Sequence, residues 1–446
     1  MTRCSFIPPY LLQHLVTAQD EQIAHCGEMS LRADSSLRSR REDRPPALRT
    51  TVAGSARYAI HSANNTEELP GATVRSEGGP PSGDAAVDEA YASTATVLNL
   101  FAEIFGRASV DGKGGQVSVT VHYGTSYVNA FWDGQQLVFG DGDGKVFDRF
   151  TKPMDVLAHE FTHGVTQFTA ALTYQGQSGA LNESVSDVFA AIAKQRSLGQ
   201  SAQGADWLIG EGLFMPTINA RALRSMKEPG TAYDDPKVGK DPQVGSMSEY
   251  VETADDNGGV HINSGIPNRA FQLAATAIGG NSWEGPGRIW YDTLTGGSIG
   301  PDTDFGQFAT SNLESAGGLF GADSREADAV RGAWATVGID AAASGAGPAE
   351  TTSTSSSSIA RTHVVVRRSG GFAGTMVTGE MDLASNPVGP EVAELLGRVD
   401  LRALGSAPPA PDRFVYTLEV DGERFDVPEQ AMTPEVSRVI NLVLGD

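Results

Sequence analysis

The sequence contains little cysteine, few basic residues and no long apolar run. Only two of its 446 residues are cysteines, Cys4 and Cys26, so a disulfide framework does not hold the bulk of the fold together. Lys and Arg number 33 against 55 Asp and Glu, which leaves a net charge of −22. That negative field repels nucleic acid and anionic lipid, and we expect neither as a partner. Since no stretch of about 18 apolar residues occurs, a membrane-spanning helix is excluded.

The start of the chain has no basic segment followed by a long apolar stretch, and Pro8-Pro9 interrupts it. The features of a classical secretory signal are therefore missing. What the chain does have is an apolar fraction of 40%, enough for two or three hydrophobic cores, and 52 glycines, which favour many turns. These features predict an acidic protein of several domains.

Composition changes along the chain predict five segments. An apolar start that turns arginine-rich comes first, followed by a part rich in strands, a helical part, a flexible linker of Gly, Ser and Thr, and a small α+β domain. In that order the segments cover residues 1–52, 53–150, 151–340, 341–358 and 359–446. By composition alone the first segment fits a disordered tail, because Arg38 to Arg49 surround Pro45-Pro46 in a stretch open to proteolysis.

Hydrophobic periodicity and turn residues predict the elements within these segments. In the first two-thirds of the chain they predict helices over 84–105, 155–172 and 181–198 and a strand over 117–121. In the last segment they predict a strand over 362–368, a helix over 391–399, a hairpin over 413–427 that turns at Asp421-Gly422, and a final helix from Thr433.

The string His159-Glu160-Phe161-Thr162-His163 indicates the most specific chemistry. On a helix, residues four apart lie one above the other, so both imidazoles face the same point. That geometry suits a tetrahedral zinc ion, and Glu160 beside the first histidine can act as a base toward a water molecule. A catalytic zinc ion also needs a third protein ligand and an open fourth position.

The next predicted helix offers that ligand in Asn182-Glu183-Ser184-Val185-Ser186-Asp187. Glu183 is the candidate, because a carboxylate on the inner face of a helix is costly unless it is paired or bound to a metal. Asp187 lies one turn further along the same face, where it can accept the second imidazole N–H of a bound histidine. The alternative is a solvated glutamate and a capping aspartate.

These motifs resemble the thermolysin family of zinc endopeptidases. The similarity runs from Asp155-Val-Leu-Ala-His-Glu-Phe-Thr-His-Gly-Val-Thr through Tyr174 to Ser178-Gly-Ala-Leu-Asn-Glu-Ser-Val-Ser-Asp187. Further similar stretches are Asn129-Ala-Phe-Trp132 before Gly140-Asp-Gly-Asp-Gly144, Arg224-Ser-Met226, and Asp256-Asn-Gly-Gly-Val-His261-Ile-Asn-Ser-Gly265. The resemblance covers about residues 53–340 and implies a two-lobed peptidase with a β-rich N-terminal lobe and an α-helical C-terminal lobe.

The resemblance also implies a mechanism. Zinc on the two motif histidines and Glu183 would acidify a bound water, and Glu160 would take its proton as the water attacks a peptide carbonyl. The resulting oxyanion needs further donors, which by resemblance are Tyr174 and His261, with Asp256 orienting the His261 imidazole. Without the resemblance, a lone histidine such as His261 is more often structural.

The resemblance further implies how substrate binds. Asn129 and the Ala130 carbonyl would hold the substrate backbone along an edge strand, and Arg224 would donate to the carbonyl after the cut bond. The side chain after that bond would enter an apolar pocket, so we expect cleavage before Leu, Phe or another large apolar residue. The pocket residues would be Phe147, Phe150, Val156, Ile209, Leu213 and Leu223. The alternative is that these six side chains are simply core.

One position departs from the family. Its longer members bind paired calcium ions with a carboxylate eleven residues after the third zinc ligand, where this chain has Lys194. Asp155, Asp206 and Glu211 retain the other carboxylates, and an ammonium among them can replace the charge of calcium. We therefore expect no calcium at this site and leave calcium elsewhere open.

The N-terminal string Cys4-Ser-Phe-Ile-Pro-Pro-Tyr-Leu-Leu12 resembles the short prosegment of protealysin-like members of the family. This resemblance implies a latent precursor whose prosegment fills the cleft, with the arginine-rich stretch as the removable link. Cys4 is a candidate latency switch, as a thiolate on the open position of the zinc. It is equally a candidate for a small buried hydrophobe.

Near the other end, Val366-Arg-Arg-Ser-Gly-Gly-Phe-Ala-Gly374 and Pro411-Asp-Arg-Phe-Val-Tyr-Thr-Leu418 resemble emfourin, a small protein inhibitor of protealysin-like enzymes. The resemblance implies an autoinhibitory domain, and a short flexible tether would raise its local concentration to roughly millimolar. A surface or substrate-binding appendage is the alternative.

The sequence thus predicts an α+β chain, a two-lobed thermolysin-like peptidase with a small C-terminal α+β domain. We expect a monomeric zinc endopeptidase made as a latent precursor, with proteins or peptides as substrates and its own prosegment and C-terminal domain as inhibitors. The alternative from another class is a non-catalytic regulatory protein whose C-terminal domain inhibits other metallopeptidases. We expect secretion by a non-classical route, with a cytoplasmic latent precursor as the alternative.

Overall fold

A computed structural model describes residues 5–39 and 56–341 throughout. Beyond these it describes the stretches 363–370, 377–383, 414–420 and 423–428 and the single positions 392, 396, 436, 439, 440, 442 and 443. Internal contacts divide the chain into two compact units, Met1–Ala349 and Glu350–Asp446. Except for Ala341, the predicted linker lies outside the described residues.

The first unit contains both helices and strands. Its helices are α1 Pro9–Val16, α2 Glu21–Ser39, α3 Ala85–Phe105, α4 Met154–Gln167, α5 Gly176–Leu198, the 3₁₀ helix Met247–Glu249, α6 Asp256–Asn263, α7 Gly265–Ile278, α8 Gly285–Thr295, α9 Phe305–Phe320 and α10 Arg325–Thr336. Its strands are β1 Tyr58–Ser62, β2 Ala72–Ser76, β3 Val117–Val121, β4 Ala130–Trp132, β5 Leu137–Phe139, β6 Leu208–Ile209, β7 Arg224–Ser225, β8 Asp234–Asp235 and β9 Gly239–Lys240. None of the described helices has the length and apolar composition that a bilayer span requires.

The N-terminal segment, residues 5–39, folds as two helices onto the rest of the first unit. Pro9 opens α1, where proline fits because the first N–H groups of a helix have no partner within it. This segment contributes fully buried side chains to the main core, namely those of Phe6, Ile7, Leu11, Leu12 and Leu15. Residues 5–39 are therefore not the disordered tail that composition alone would fit. Cys4 and the arginine-rich stretch from Arg40 to Arg49 lie outside the described residues.

A five-stranded sheet of order β2-β1-β3-β5-β4 forms the β-rich part of this unit. Strand β4 lies at the edge of the sheet, antiparallel to β5, so a further chain segment can pair along it. The observed β3 and α3 agree with the elements predicted over 117–121 and 84–105. Asp84 ends the extended chain and begins α3, because its side chain accepts a hydrogen bond from the Val87 N–H.

Helices α4 and α5 pack against each other at the centre of the helical part. Both differ from the prediction, since α4 ends at Gln167 and α5 already begins at Gly176. The helical backbone of α4 stops at Phe168, where ψ is 9°, and in the turn that follows the Ala171 N–H donates to the carbonyl of Thr166. The connection between the helices is therefore short, and their inner faces meet.

The second unit contains a four-stranded antiparallel sheet of order β11-β10-β12-β13. Its strands are β10 His363–Gly370, β11 Val377–Asp382, β12 Phe414–Val420 and β13 Glu423–Pro428. They agree with the predicted strand and hairpin, although the hairpin residues Asp421-Gly422 lie outside the described residues. Val392 and Leu396, four apart, are helical and buried in a core that belongs to this unit alone. The predicted α+β class is confirmed.

Candidate metal centre and active site

Helix α4 carries two histidines whose side chains are completely or almost completely buried. His159 and His163 are one turn apart, and their Nε2 atoms are 2.9 Å from each other. Glu183 on α5 faces this pair: one carboxylate oxygen lies 3.4 Å from the His159 Nε2 and the other 3.4 Å from the His163 Nε2. Two ligands at 2.0–2.1 Å from a tetrahedral zinc ion lie about 3.3 Å apart, so this donor set fits such an ion.

The other imidazole nitrogens are occupied by protein partners. The His159 Nδ1 lies 2.9 Å from Asp187 Oδ1, and the His163 Nδ1 lies 2.8 Å from Asn182 Oδ1. These contacts orient the rings so that both Nε2 atoms face Glu183. Burial raises the pKa of the Asp187 carboxyl, but the charge of Arg224 and the contact with His159 outweigh burial and lower that pKa to about 2. Asp187 is therefore an anion that supports the candidate metal ligand His159.

Glu160 points into the same buried region. Among the residues that the structure describes, no side chain donates a hydrogen bond to either of its carboxylate oxygens. Burial raises the pKa of Glu160 to about 8, although the neighbouring His159 lowers it in part. A carboxylate with a pKa near neutrality can accept and release a proton at physiological pH.

A second group of side chains approaches Glu183 from the other side. The His261 Nε2 lies 3.1 Å from the Tyr174 hydroxyl, which in turn donates to Glu183. Asp256 holds the ring through its Oδ1, 2.6 Å from the His261 Nδ1, and its Oδ2 accepts the His261 backbone N–H at 2.9 Å. This fold-back requires positive φ angles from Asp256 to Gly259, which glycine tolerates. The structure thus brings Tyr174, Asp256 and His261 together beside the candidate metal ligands.

The N-terminal segment lies in the cleft along β4. The Phe6 N–H donates to the Ala130 carbonyl at 3.0 Å, and the Ile7 N–H donates to Asn129 Oδ1 at 2.8 Å. Arg224 donates to the Phe6 carbonyl at 3.2 Å. Sequence analysis assigned Asn129, Ala130 and Arg224 to binding of the substrate backbone. All three contact the backbone of this segment.

Comparison with known proteins agrees with this geometry. The profile of the thermolysin metallopeptidase catalytic domain matches residues 42–167, and that of the thermolysin metallopeptidase alpha-helical domain matches residues 170–339. Together these matches cover more than half of the chain. The chain belongs to the thermolysin family of metallopeptidases. Residues 366–444 match the emfourin family. This match confirms the predicted resemblance of the C-terminal domain to emfourin.

Individual relatives are similar over most of this metallopeptidase. An extracellular metalloprotease of Pectobacterium carotovorum subsp. carotovorum is 50% identical over 337 residues, 76% of this chain and 96% of that protein. Protease PrtS of Photorhabdus sp. (strain Az29) is 44% identical over 343 residues, 75% and 91% of the two chains. The solved precursor of protealysin, a metalloproteinase from Serratia proteamaculans, matches with a TM-score of 0.69 and 48% identity over 75% of this chain and 99% of that chain. The predicted protealysin-like branch is confirmed.

The six side chains assigned to the substrate pocket are all buried in the main hydrophobic core of the metallopeptidase, to which Phe6 also belongs. The Phe6 ring itself meets the His159 ring edge-on, with 5.1 Å between ring centroids, and the Arg224 guanidinium lies 4.7 Å from the Phe6 centroid. Gly210 leaves room for this ring, because a Cβ built at Gly210 would lie 3.4 Å from it. The Phe6 ring is thus enclosed by His159, Arg224 and Gly210.

Lys194 lies where the departure from the family predicts an ammonium among carboxylates. Its Nζ is 3.1 Å from both oxygens of Asp206 and 2.9 Å from Glu211, and it also donates to the Leu208 carbonyl at 3.3 Å. Asp155 is close by and accepts the Gly210 N–H at 2.9 Å. Burial raises the pKa of Asp155 to about 6, and Lys194 opposes that rise.

Sequence reasoning missed three residues that support the site, namely Asn182, Ser186 and Asn268. Asp187 accepts two hydrogen bonds from Arg224, each of 2.8 Å, and one of 2.9 Å from the buried Asn268. Asn182 and Ser186 both contact the His163 ring. The signal for Asn182 and Ser186 was available, since both share the inner face of α5 with the carboxylates. No local signal pairs Asn268 with Asp187, because 81 residues separate them.

Proposed function

We propose that this metallopeptidase is a zinc endopeptidase made as a latent precursor. The observation that carries the proposal is the buried convergence of His159, His163 and Glu183, with Glu160 beside them and a segment of the chain lying across them. The thermolysin family uses zinc, and the donor set of two imidazoles and one carboxylate is the type found at catalytic zinc sites. When bound there, zinc would acidify a water molecule and polarise the substrate carbonyl.

The surrounding residues have distinct tasks in hydrolysis. Glu160 takes the proton of the attacking water and then delivers it to the leaving nitrogen. His261 and Tyr174 donate hydrogen bonds to the oxyanion that develops on the substrate carbonyl. Asp256 keeps the His261 ring in position, and Asp187 does the same for His159. The two imidazoles are thus each held by a carboxylate, whereas the Glu160 carboxylate has no side-chain donor among the described residues and is free to exchange a proton.

The test of this function is hydrolysis by the zinc-loaded chain. Wild type is expected to cleave an internal peptide bond of a model peptide, and Glu160→Ala is expected to lose on the order of 10³-fold or more in rate without losing zinc. Zinc content measured alongside the rate separates a lost base from a lost metal. Equal rates for the two proteins would contradict the assignment of Glu160 as the base, and absence of hydrolysis by a chain freed of its prosegment and C-terminal domain would favour the alternative of a non-catalytic regulatory protein.

We assign substrate selection to the apolar pocket beside Arg224. Its six residues, Phe147, Phe150, Val156, Ile209, Leu213 and Leu223, are buried and present no charged group. Peptides that vary only the residue after the cut bond should be cleaved best with Leu or Phe there, because each buried CH₂ contributes about 0.8 kcal/mol. A preference for Asp or Gly would refute this assignment.

Latency follows from the occupied cleft. Backbone groups of Phe6 and Ile7 use the hydrogen-bonding groups of Asn129, Ala130 and Arg224 that a substrate would need. We propose that residues 1–52 are a prosegment and that activity appears when it is removed. Intact mass of zinc-loaded wild type and Glu160→Ala should show loss of about the first fifty residues from wild type only. Loss from both would point to a contaminating protease.

The emfourin domain supports a second level of inhibition. We propose that it inhibits the peptidase of its own chain, since the tether keeps its local concentration at roughly millimolar. A chain that ends at Ser358 should then hydrolyse a small peptide faster than the full chain. If truncation changes only the hydrolysis of large protein substrates, the domain is an appendage for substrate binding.

Three further assignments complete the proposal. The ammonium of Lys194 takes the place of calcium, so addition or chelation of calcium should leave the thermal unfolding midpoint unchanged.

The chain acts as a monomer, which the molar mass in solution tests. It is secreted by a non-classical route, and fractionation of the source cells should find the peptidase outside them. Recovery of only the latent form from the cytoplasm would favour the alternative.

A further inference from the structure

We propose that the precursor hydrolyses its own chain between Ser5 and Phe6, in a cut distinct from removal of the whole prosegment. The proposal rests on the endopeptidase function above and names one bond of the chain as its first substrate. Three observations carry it. They are the backbone register on β4, the position of the Ser5 carbonyl, and the surroundings of the Phe6 side chain, which follows the bond.

The backbone register is that of a strand added to the edge of the sheet. Ser5 pairs antiparallel with Phe131, and the N–H groups of Phe6 and Ile7 donate to Ala130 O and Asn129 Oδ1. A slip by one residue would turn these N–H groups away from β4 and Asn129, so the register is strongly specified. The residue whose carbonyl Arg224 contacts is Phe6, which therefore follows the bond to be cut.

The carbonyl before that bond faces the oxyanion donors. Ser5 O lies 3.0 Å from the His261 Nε2, and the same nitrogen lies 3.1 Å from the Tyr174 hydroxyl. The imidazole is held by Asp256, so its Nε2 position does not depend on the segment. The Ser5 carbonyl thus lies beside the group assigned to stabilise charge on a substrate carbonyl.

The side chain after the bond matches the proposed preference. Phe6 is fully buried, its ring contacts His159 and Arg224, and Gly210 leaves the space that the ring fills. A large apolar residue in this place is what the pocket is expected to select. Register, carbonyl and side chain therefore agree on the same bond.

The reaction is an ordinary hydrolysis, and water is the only reactant that it consumes besides the chain itself. The water oxygen adds to the Ser5 carbonyl carbon, Glu160 carries a proton to the Phe6 nitrogen, and the C–N bond breaks. The products are residues 1–5 with a new carboxylate on Ser5 and a chain that begins with the amine of Phe6. The cut lowers the mass of the chain by that of residues 1–5, which an intact-mass measurement resolves.

The new N-terminus stays bound after the cut. The leucines of α1 are buried in the main core, and Asp34 of α2 accepts a hydrogen bond of 3.1 Å from Asn129 Nδ2. Ser30 of α2 accepts the Val128 N–H at 3.1 Å. These contacts lie on the C-terminal side of the cut, so they hold residues 6–39 in place and keep the cleft closed. The cut precedes activation and does not cause it.

The test is a time course of intact mass on the full chain after zinc is added to metal-free protein. Wild type is expected to lose residues 1–5 at a rate that does not change with protein concentration, because the bond is already in the cleft. N-terminal sequencing should find Phe6 first. Glu160→Ala should keep residues 1–5. Loss from both proteins, or a rate proportional to concentration, would overturn the proposal.

Variants of Phe6 give a second test. Phe6→Leu should retain the cut, and Phe6→Gly should slow it at least tenfold, while Phe320→Gly at an exposed phenylalanine should change nothing. Hydrolysis of an added peptide is measured in the same samples. If the peptide is cleaved and residues 1–5 stay attached in wild type, this inference is wrong and the endopeptidase function stands. If neither bond is cut, this inference is wrong, and peptide hydrolysis by a chain that lacks residues 1–52 then decides the endopeptidase function.

Discussion

The two ends of helix α5 both gather carboxylates, yet the cations that balance them differ. In the N-terminal half, Glu183 faces two imidazoles and Asp187 pairs with Arg224, all of them buried. Toward the C-terminal end, Lys194 places one ammonium between Asp206 and Glu211. The first cluster presents three lone-pair donors to a common point, and the second already contains its cation.

The difference illustrates what separates the proposed catalytic ion site from a structural charge cluster on the same helix. A cation supplied by the chain has no open position and does not exchange, so it balances charge and does nothing else. An external ion bound by three ligands retains a position for water. Burial differs as well: Glu183 is 1% exposed, whereas Glu211 has a side chain that is 52% exposed and is screened by solvent.

Removal of the carboxylate ligand at the first cluster should have the largest effect. Glu183→Gln is expected to lower peptide hydrolysis on the order of 10³-fold and to weaken zinc binding by at least as much as a supporting residue does, about 100-fold. Chelator competition measures the affinity. Ser197→Ala, on the exposed face of the same helix, is the matched control and should match wild type. Unchanged zinc affinity in Glu183→Gln would remove the contrast between the clusters.

The supporting carboxylate should matter less than the ligand. Asp187→Asn keeps the size of the side chain but leaves Arg224 without its anionic partner and weakens the contact with His159. We expect zinc affinity to fall by about 10- to 100-fold, with peptide hydrolysis falling in parallel. A drop in thermal stability without a change in zinc affinity would show that Asp187 serves the fold alone.

Loss of the chain's own cation should destabilise the second cluster and spare the first. Lys194→Met leaves Asp155, Asp206 and Glu211 without their ammonium and is expected to cost about 1–3 kcal/mol, since Lys194 is largely buried while its partners are partly exposed. Thermal unfolding with and without zinc measures this, and zinc affinity should equal that of wild type.

A sharper variant converts one type of cluster into the other. Lys194→Asp replaces the internal cation by a further carboxylate, and its unfolding temperature should rise on addition of calcium, unlike that of wild type and Lys194→Met. A calcium response of Lys194→Asp no larger than that of wild type would refute the view that Lys194 replaces the ion.

The smallest effect is expected at a third, titratable cation. His122 lies between Asp141, at 2.8 Å, and Asp84, at 3.1 Å, and the hydrogen bond to Asp141 raises its pKa. A raised histidine pKa stabilises the fold below the unfolded value of about 6.5, and this gain is lost as the pH rises through the folded pKa. His122→Asn, which tolerates the positive φ of this position, should therefore lose about 0.5–1 kcal/mol at pH 5.5 and less at pH 9. Equal losses at both pH values would show that charge is not the cause.

Local spacing predicted much of this arrangement. Four-residue spacing on α4 places His159 above His163 whatever the rest of the chain does, and the inner face of α5 supplies Glu183 and Asp187. The ends of these helices were less predictable, because neither Phe168, which caps α4, nor Ala171, whose backbone is left-handed in the following turn, is a glycine. The pairing of Asp187 with Arg224 depends on the short strands β6 and β7, which join segments 15 residues apart.

The sequence by itself determined which chemical groups this chain brings to each cluster: two imidazoles and a carboxylate where the ion is external, and an ammonium where it is internal. Only the tertiary structure decided which bond of the chain lies across the first cluster. Phe6 contacts Ala130, Arg224 and Gly210, residues more than 120 positions away, and such contacts arise from strand pairing and core packing that no local spacing encodes.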